Sequence, residues 1–129
     1  MIAVLYVDNG QLLQDTLGHF LERHKDMVVE SSLLIEEALR KMDYISFDVI
    51  VTDYNLKESS GIDLLRQTRQ KGIMTPFVFF ILKQNRGMEA EATRYGRVAF
   101  VPKLPYSGSS FDELEKTIRT IVPASHVET

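Results

Sequence analysis

The decisive stretch is Phe47-Asp48-Val49-Ile50-Val51-Thr52-Asp53-Tyr54-Asn55-Leu56. A short run of β-branched residues, apolar throughout, ends on an acid. Such a run suits a strand buried on both faces, as in a parallel sheet. Working outward, four more runs of strand length appear: Ile2 to Val7, a weak one at Met27 to Val29, Phe77 to Leu82, and Val98 to Val101.

The intervening segments have helical period. Leu13, Leu17, Leu21 and His24 lie on one stripe, widened by Phe20. Ile35, Ala38, Leu39 and Met42 follow the i, i+3, i+4, i+7 rule, with Ser32 as N-cap. A third helix spans about 60–71, with Gly72 as its stop. A fourth, short, carries Met88, Ala92 and Tyr95 on one face and ends at Gly96. The last opens at Ser110-Phe111-Asp112-Glu113, a capping-box pattern, continues through Leu114, Ile118 and Ile121, and exits at Pro123. Five β-α units in strict alternation predict a doubly wound α/β domain. The flavodoxin-like order is 2-1-3-4-5, all parallel, with helices on both faces. Residues 1–122 are expected to form the domain and 123–129 a short tail.

Bulk properties narrow the function. The 129 residues suit one domain. The absence of cysteine excludes disulfides and thiolate metal sites. A formal net charge of -3 argues against direct nucleic-acid binding, which wants a basic surface. No apolar run approaches a membrane span, and the N-terminal run lacks the basic lead-in of a signal peptide; a cytoplasmic protein is the simplest expectation. His19, His24 and His126 have no metal-like spacing. Glu36, Glu37, Arg66 and Arg69 read most simply as solvated charge.

In the predicted order strands 1 and 3 are neighbours, so Asp8 and Asp53, each at a strand's carboxyl end, should converge. Lys103 follows strand 5 and can reach the same rim. Two acids and an ammonium beside one crevice suit a hard divalent cation plus a phosphoryl group, and a carboxylate can serve as nucleophile, forming an aspartyl phosphate. An Asp after a strand is often only a cap or turn residue, and for either Asp alone that bland reading wins. The three charges together favour function, because the topology gathers them.

Val4-Leu5-Tyr6-Val7-Asp8-Asn9, the stretch 47–56 quoted above, Gly61, Thr75-Pro76-Phe77 and Lys103 together resemble response-regulator receiver domains of two-component signalling. Each motif alone is weak; their order and spacing, over about 2–122, are fairly specific. The resemblance implies that Asp53 is the phosphoacceptor and that Asp8 belongs to the acidic metal pair. It implies that Asn55 lends a backbone carbonyl to Mg²⁺ and that Lys103 contacts the phosphoryl oxygens. The implied partner is a sensor histidine kinase or phosphotransfer protein. Such a domain is not an enzyme, beyond catalysing its own phosphorylation and dephosphorylation.

The sequence also departs from the family. Asn9 stands where the second acid usually sits, Ile81 where a Ser or Thr hydroxyl follows the phosphoryl group, and Lys57 in place of a frequent proline. Phe100 occupies the aromatic switch position. The family's Lys-Pro step reads Lys103-Leu104-Pro105, and a cis bond is expected at Leu104-Pro105. Losing a unit charge about 4 Å from a cation forfeits up to roughly 4 kcal/mol at an effective dielectric of ~20. Losing a hydroxyl bond to a charged group costs roughly 1.5–3 kcal/mol. Asn9 should therefore weaken Mg²⁺ binding, and Ile81 the coupling to a shape change. The alternative is a degenerate receiver, an interaction module that works without phosphate. An Asp-dependent phosphatase is disfavoured, since Asn55 stands where its general acid would be. A dinucleotide binder is disfavoured by the single glycine of Asp8-Asn9-Gly10-Gln11.

Overall fold

In a computed structural model, which describes residues 1–83, 85–103 and 108–122, strand and helix alternate five times. The order is β1 (Ile2–Val7), α1 (Gln11–Glu22), β2 (Met27–Ser32), α2 (Ile35–Tyr44), β3 (Val49–Thr52), α3 (Gly61–Gln70), β4 (Phe77–Ile81), α4 (Arg86–Thr93), β5 (Val98–Pro102) and α5 (Gly108–Ile121). The sheet runs β2-β1-β3-β4-β5, and all four pairings are parallel. This is the predicted doubly wound order.

Period-2 alternation divides the core between the two faces of the sheet. Val4, Tyr6, Val49, Val51, Val78, Phe80 and Val101 pack with Leu17 and Leu21 of α1 and with Leu114 and Ile118 of α5. Leu5, Val7, Ile50, Phe77, Phe79 and Ile81 face the other way, onto Ala38 of α2, Leu64 and Leu65 of α3, and Met88 and Ala92 of α4. Every residue of β3 and β4 is buried, which is why those runs are apolar throughout.

The register then fixes the rim. Tyr6 pairs with Val51, Val51 with Val78, and Val78 with Ala99. One step further along the same face, Asp8, Asp53 and Phe80 follow Tyr6, Val51 and Val78.

Helix ends differ in part from expectation. Ser60 does cap α3, its Oγ accepting from the Asp63 amide at 3.1 Å. Gly72 and Gly96 have φ of +81° and +76°, the left-handed conformation that ends a helix and favours glycine. Ser32, however, is not a cap: β2 extends to it, it is buried, and Leu34 holds the N-cap position of α2. The strand outlasts its apolar run because Ser31 and Ser32 pair with Tyr6 and Val7, a tertiary constraint that local propensity does not carry. Leu82 lies outside β4 and is exposed. His24 is exposed beyond α1 and no part of its buried stripe. Asn85, unanticipated, caps α4 by accepting from the Gly87 and Met88 amides. α5 begins at Gly108, so Ser110 is a buried residue within the helix and not its cap. The Leu104-Pro105 bond, His126 and the tail 123–129 lie outside the described residues.

Arg69 is not solvated charge. Its guanidinium donates to the carbonyls of Ile73, Thr75, Tyr95 and Gly96, each at 2.9 Å. The planar fork serves several acceptors at once, and so ties the α3–β4 turn to the α4–β5 turn. On the other face of the sheet, Glu115 of α5 accepts from Arg23 at 2.8 Å and from Arg119, which also grips Asp26. Burial pushes the Glu115 carboxyl up, but hydrogen bonds and charge from Arg23 and Arg119 outweigh it, so its pKa falls below the ordinary 4.5. A carboxyl depressed by folding contributes stability above its unfolded pKa and loses it as pH falls through the folded one. Urea denaturation below about pH 4.5 should therefore show a shallower acid loss in Glu115→Gln than in the native chain.

Candidate functional site

The three charges predicted to converge do meet. The Lys103 Nζ lies 2.7 Å from Asp8 Oδ2 and 3.0 Å from Asp53 Oδ2. Asp8 and Asp53 continue the same face of adjacent strands, each one residue past the last paired row, Val7 with Thr52. Lys103 enters from β5 across β4, its ammonium 5.8 Å from the centre of the Phe80 ring. Its backbone is anchored where its amide donates to the Ile81 carbonyl at 2.6 Å. A four-carbon stem makes that reach possible.

The remaining oxygens of the two carboxylates are also held. Asp8 Oδ1 accepts from the Gly10 amide at 3.0 Å, and Asp53 Oδ1 from the Tyr54 amide at 2.7 Å. Gln14 fixes the end of β1 against β2, its amide donating to the carbonyls of Asp8 and Ser32 at 2.9 and 2.8 Å. Asp8 is nearly sealed at 2% exposure, whereas the Asp53 side chain retains 18%. Asp53 is thus the carboxylate that solvent can reach.

Sequence reasoning missed Tyr6. Its side chain is fully buried, and its hydroxyl donates to Asp8 Oδ2 at 2.8 Å. Burial, followed by the negative charge of Asp8 and the hydrogen bond to it, pushes this phenol far above the usual tyrosine range, so it stays a neutral donor. The signal was available: Tyr6 stands two residues before Asp8, hence on the same strand face, and is the one residue with a hydroxyl in an aliphatic run.

The other candidates lie around this centre. Asn9 is exposed. Asn55 is exposed in the loop after β3, which closes through a bridge between Asn55 and Ser60. Ile81 is buried on the opposite face of the sheet. There Phe79 stacks on Phe100, ring centres 5.4 Å apart and planes 23° apart.

The donor set fits a hard divalent cation loosely. Two carboxylates share one ammonium, and a loop backbone lies alongside; Mg²⁺ is commonly held by one or two carboxylates plus phosphate and water. Among the described residues no cluster of three His, Cys, Asp or Glu could hold a metal by itself. Asp8 and Asp53 are the carboxylates on which such a cation would draw.

The family model for the response regulator receiver domain matches residues 4–119. The chain belongs to that family. It is 27% identical over 123 residues to the protein-glutamate methylesterase/protein-glutamine glutaminase of Treponema denticola, covering 93% of this chain and 32% of that one. The chain thus spans about a third of that relative. Among solved structures, the non-phosphorylated HemR receiver domain from Leptospira biflexa superposes with a TM-score of 0.83 at 24% identity, covering 100% of both chains. The response regulator protein TrrA from Thermotoga maritima, in complex with Mg²⁺-BeF, does so with 0.77 at 19% identity, covering 94% and 99%. At these identities the structures establish the fold. No described helix is long and apolar enough to cross a membrane.

Gly61 secures the loop that carries Asp53. Its amide donates to the Tyr54 carbonyl at 2.7 Å, and a Cβ built there would stand 2.3 Å from the Asp53 carbonyl oxygen, with Phe79 and Thr52 close behind. No flexible side chain can yield at the nearest contact, so the loop itself must shift. Gly61→Ala should cost about 1–3 kcal/mol, the usual range for overpacking. Urea denaturation checks the loss, and an amide chemical-shift change at Tyr54 checks the displacement.

Proposed function

We infer that Asp53 is a phosphoacceptor and that the domain relays its phosphorylation as a change in shape or binding, reacting slowly and responding weakly. The observation that carries this is the Lys103 ammonium shared by Asp53 and Asp8 at the carboxyl edge of the sheet. The donor would be a phosphohistidine on a sensor kinase or phosphotransfer protein. An Asp53 oxygen attacks phosphorus, the phosphorus–nitrogen bond breaks, and the imidazole departs with the electron pair. Lys103 then turns from the carboxylates to the transferred oxygens, as a point charge on a flexible stem. Mg²⁺, when bound, neutralises charge on the moving phosphoryl group.

The departures from the family set the expected weakness. Asn9 offers a neutral oxygen where the family has an acid. Ile81 and Phe100 share the sheet face where Phe79 stacks, and Ile81 supplies no hydroxyl through which a phosphoryl group could bias that packing. A modification shifts an equilibrium only through contacts that differ between states. Lys103 is left as the main such contact, through its side chain above and its amide on the Ile81 carbonyl below.

Acetyl phosphate with Mg²⁺, read by intact mass, tests the assignment. Label should appear on the native chain and not on Asp53→Asn. Asn9→Asp should tighten Mg²⁺ binding by roughly tenfold, about 1.4 kcal/mol, and speed labelling in proportion. Ile81→Thr should leave labelling nearly unchanged while enlarging the phosphorylation-dependent change in amide exchange around Phe100. If the native chain takes no label at saturating Mg²⁺ and Asn9→Asp does not restore it, the domain is a phosphorylation-independent interaction module.

A further inference from the structure

We propose that the Tyr6 hydroxyl sets how tightly this site takes Mg²⁺, by holding Asp8 as the counter-ion of Lys103. The inference builds on the phosphoacceptor function and names an element of its regulation. An ionised carboxylate oxygen offers two lone pairs. Asp8 Oδ2, the oxygen that shares an ammonium with Asp53, has both engaged, one by Tyr6 at 2.8 Å and one by Lys103 at 2.7 Å. Asp8 Oδ1 is already bonded to the Gly10 amide. Oδ1 keeps one lone pair, but a cation drawn toward Asp53 on the side of Oδ2, directly or through water, must draw on the electrons that Tyr6 and Lys103 engage.

The two donors differ in their freedom to leave. Lys103 already has a second acceptor, Asp53 Oδ2 at 3.0 Å, and sits at the end of a flexible stem. Tyr6 has no such freedom. It is 0% exposed and wedged into the core between the sheet, α1 and α5. Water cannot replace Asp8 as its acceptor, and a buried hydroxyl with a weakened bond is costly. Whatever a cation takes from the Tyr6 bond therefore counts against the cation. Tyr6 strengthens the resting Asp8–Lys103 pair and raises the Mg²⁺ concentration the site requires. The competing possibility is that the hydroxyl merely aims Asp8, as supporting hydrogen bonds around metal ligands commonly do; its loss would then weaken Mg²⁺ binding.

Tyr6→Phe removes one hydroxyl and keeps the ring, and calorimetric titration of the full chain with MgCl₂ reads the consequence. The Kd for Mg²⁺ should fall about five- to tenfold, less than the roughly ten- to hundredfold worth of a whole hydrogen bond to a charged group, because the cation weakens that bond without breaking it. The Mg²⁺ concentration for half-maximal labelling by acetyl phosphate should fall by the same factor, with the maximal rate unchanged. A purely structural role would lower the melting temperature and leave that concentration where it was. Tyr6→Leu supplies a second hydroxyl-free side chain should the phenylalanine variant fold poorly. An unchanged or higher Kd overturns the proposal, as does undetectable binding in native and variant alike, because removing the hydroxyl would then free no ligand. Tighter Mg²⁺ binding with no label on any variant leaves Tyr6 in this role and overturns the phosphoacceptor function instead.

Discussion

One ammonium between two carboxylates is the interaction on which the rest of the site depends. Asp8 and Lys103 are almost sealed from water and Asp53 largely so. Charges removed from water cost several kcal/mol each unless paired and hydrogen-bonded. The sheet end therefore tolerates them only as a set, and each backbone contact nearby serves to complete it. Gln14 pins the end of β1, the amides of Gly10 and Tyr54 engage the outer oxygens, and the Ile81 carbonyl receives the Lys103 amide. With two negative charges and one positive, the set remains anionic, which leaves room for a further cation and defines the competition for it.

The topology delivers this set without any special local structure. Tyr6 and Asp8 share a strand face, as do Val51 and Asp53, and Val101 and Lys103. In a parallel sheet whose neighbours are in register, each face continues past the paired rows into the loops. The same alternation that buries valines against α1 and α5 thus turns the first residues beyond β1 and β3 into facing carboxylates. Lys103 needs its length because β4 stands between β5 and β3. Gly61 belongs to the same logic: the chain returning to α3 passes so close to the Asp53 carbonyl that a side chain there has no room.

This explains what was legible in the sequence. Doubly buried strands announce themselves by composition, so β1, β3 and β4 were readable; β5, half-buried at the sheet edge, was readable from its short apolar run, and with these strands came the topology and the convergence of Asp8, Asp53 and Lys103. Features set by tertiary contact were not. The polar end of β2 is held by pairing with β1, so Ser32 resembled a helix cap. Arg69 looked like surface charge because its four carbonyl partners belong to two turns brought together only in the fold. Tyr6 passed as an aromatic core residue, and so it is, but its one polar atom is aimed at the acid two positions on.

Tyr6 also bears on how the altered site can remain intact. On the proposed function, Asn9 in place of a second acid removes a negative charge from the rim, and with it part of the repulsion that a metal would relieve. The set that remains is compensated in part from within: Lys103 supplies one positive charge against two negative, and the buried phenol supplies a permanent donor to the acid that faces away from solvent. Such a site holds its shape without a cation, since every carboxylate oxygen already has a partner. The same self-sufficiency lowers the gain from binding one. Stability of the resting site and readiness to react therefore draw on the same oxygen lone pairs of Asp8, and a residue buried in the core, two positions from the rim, governs how they are divided.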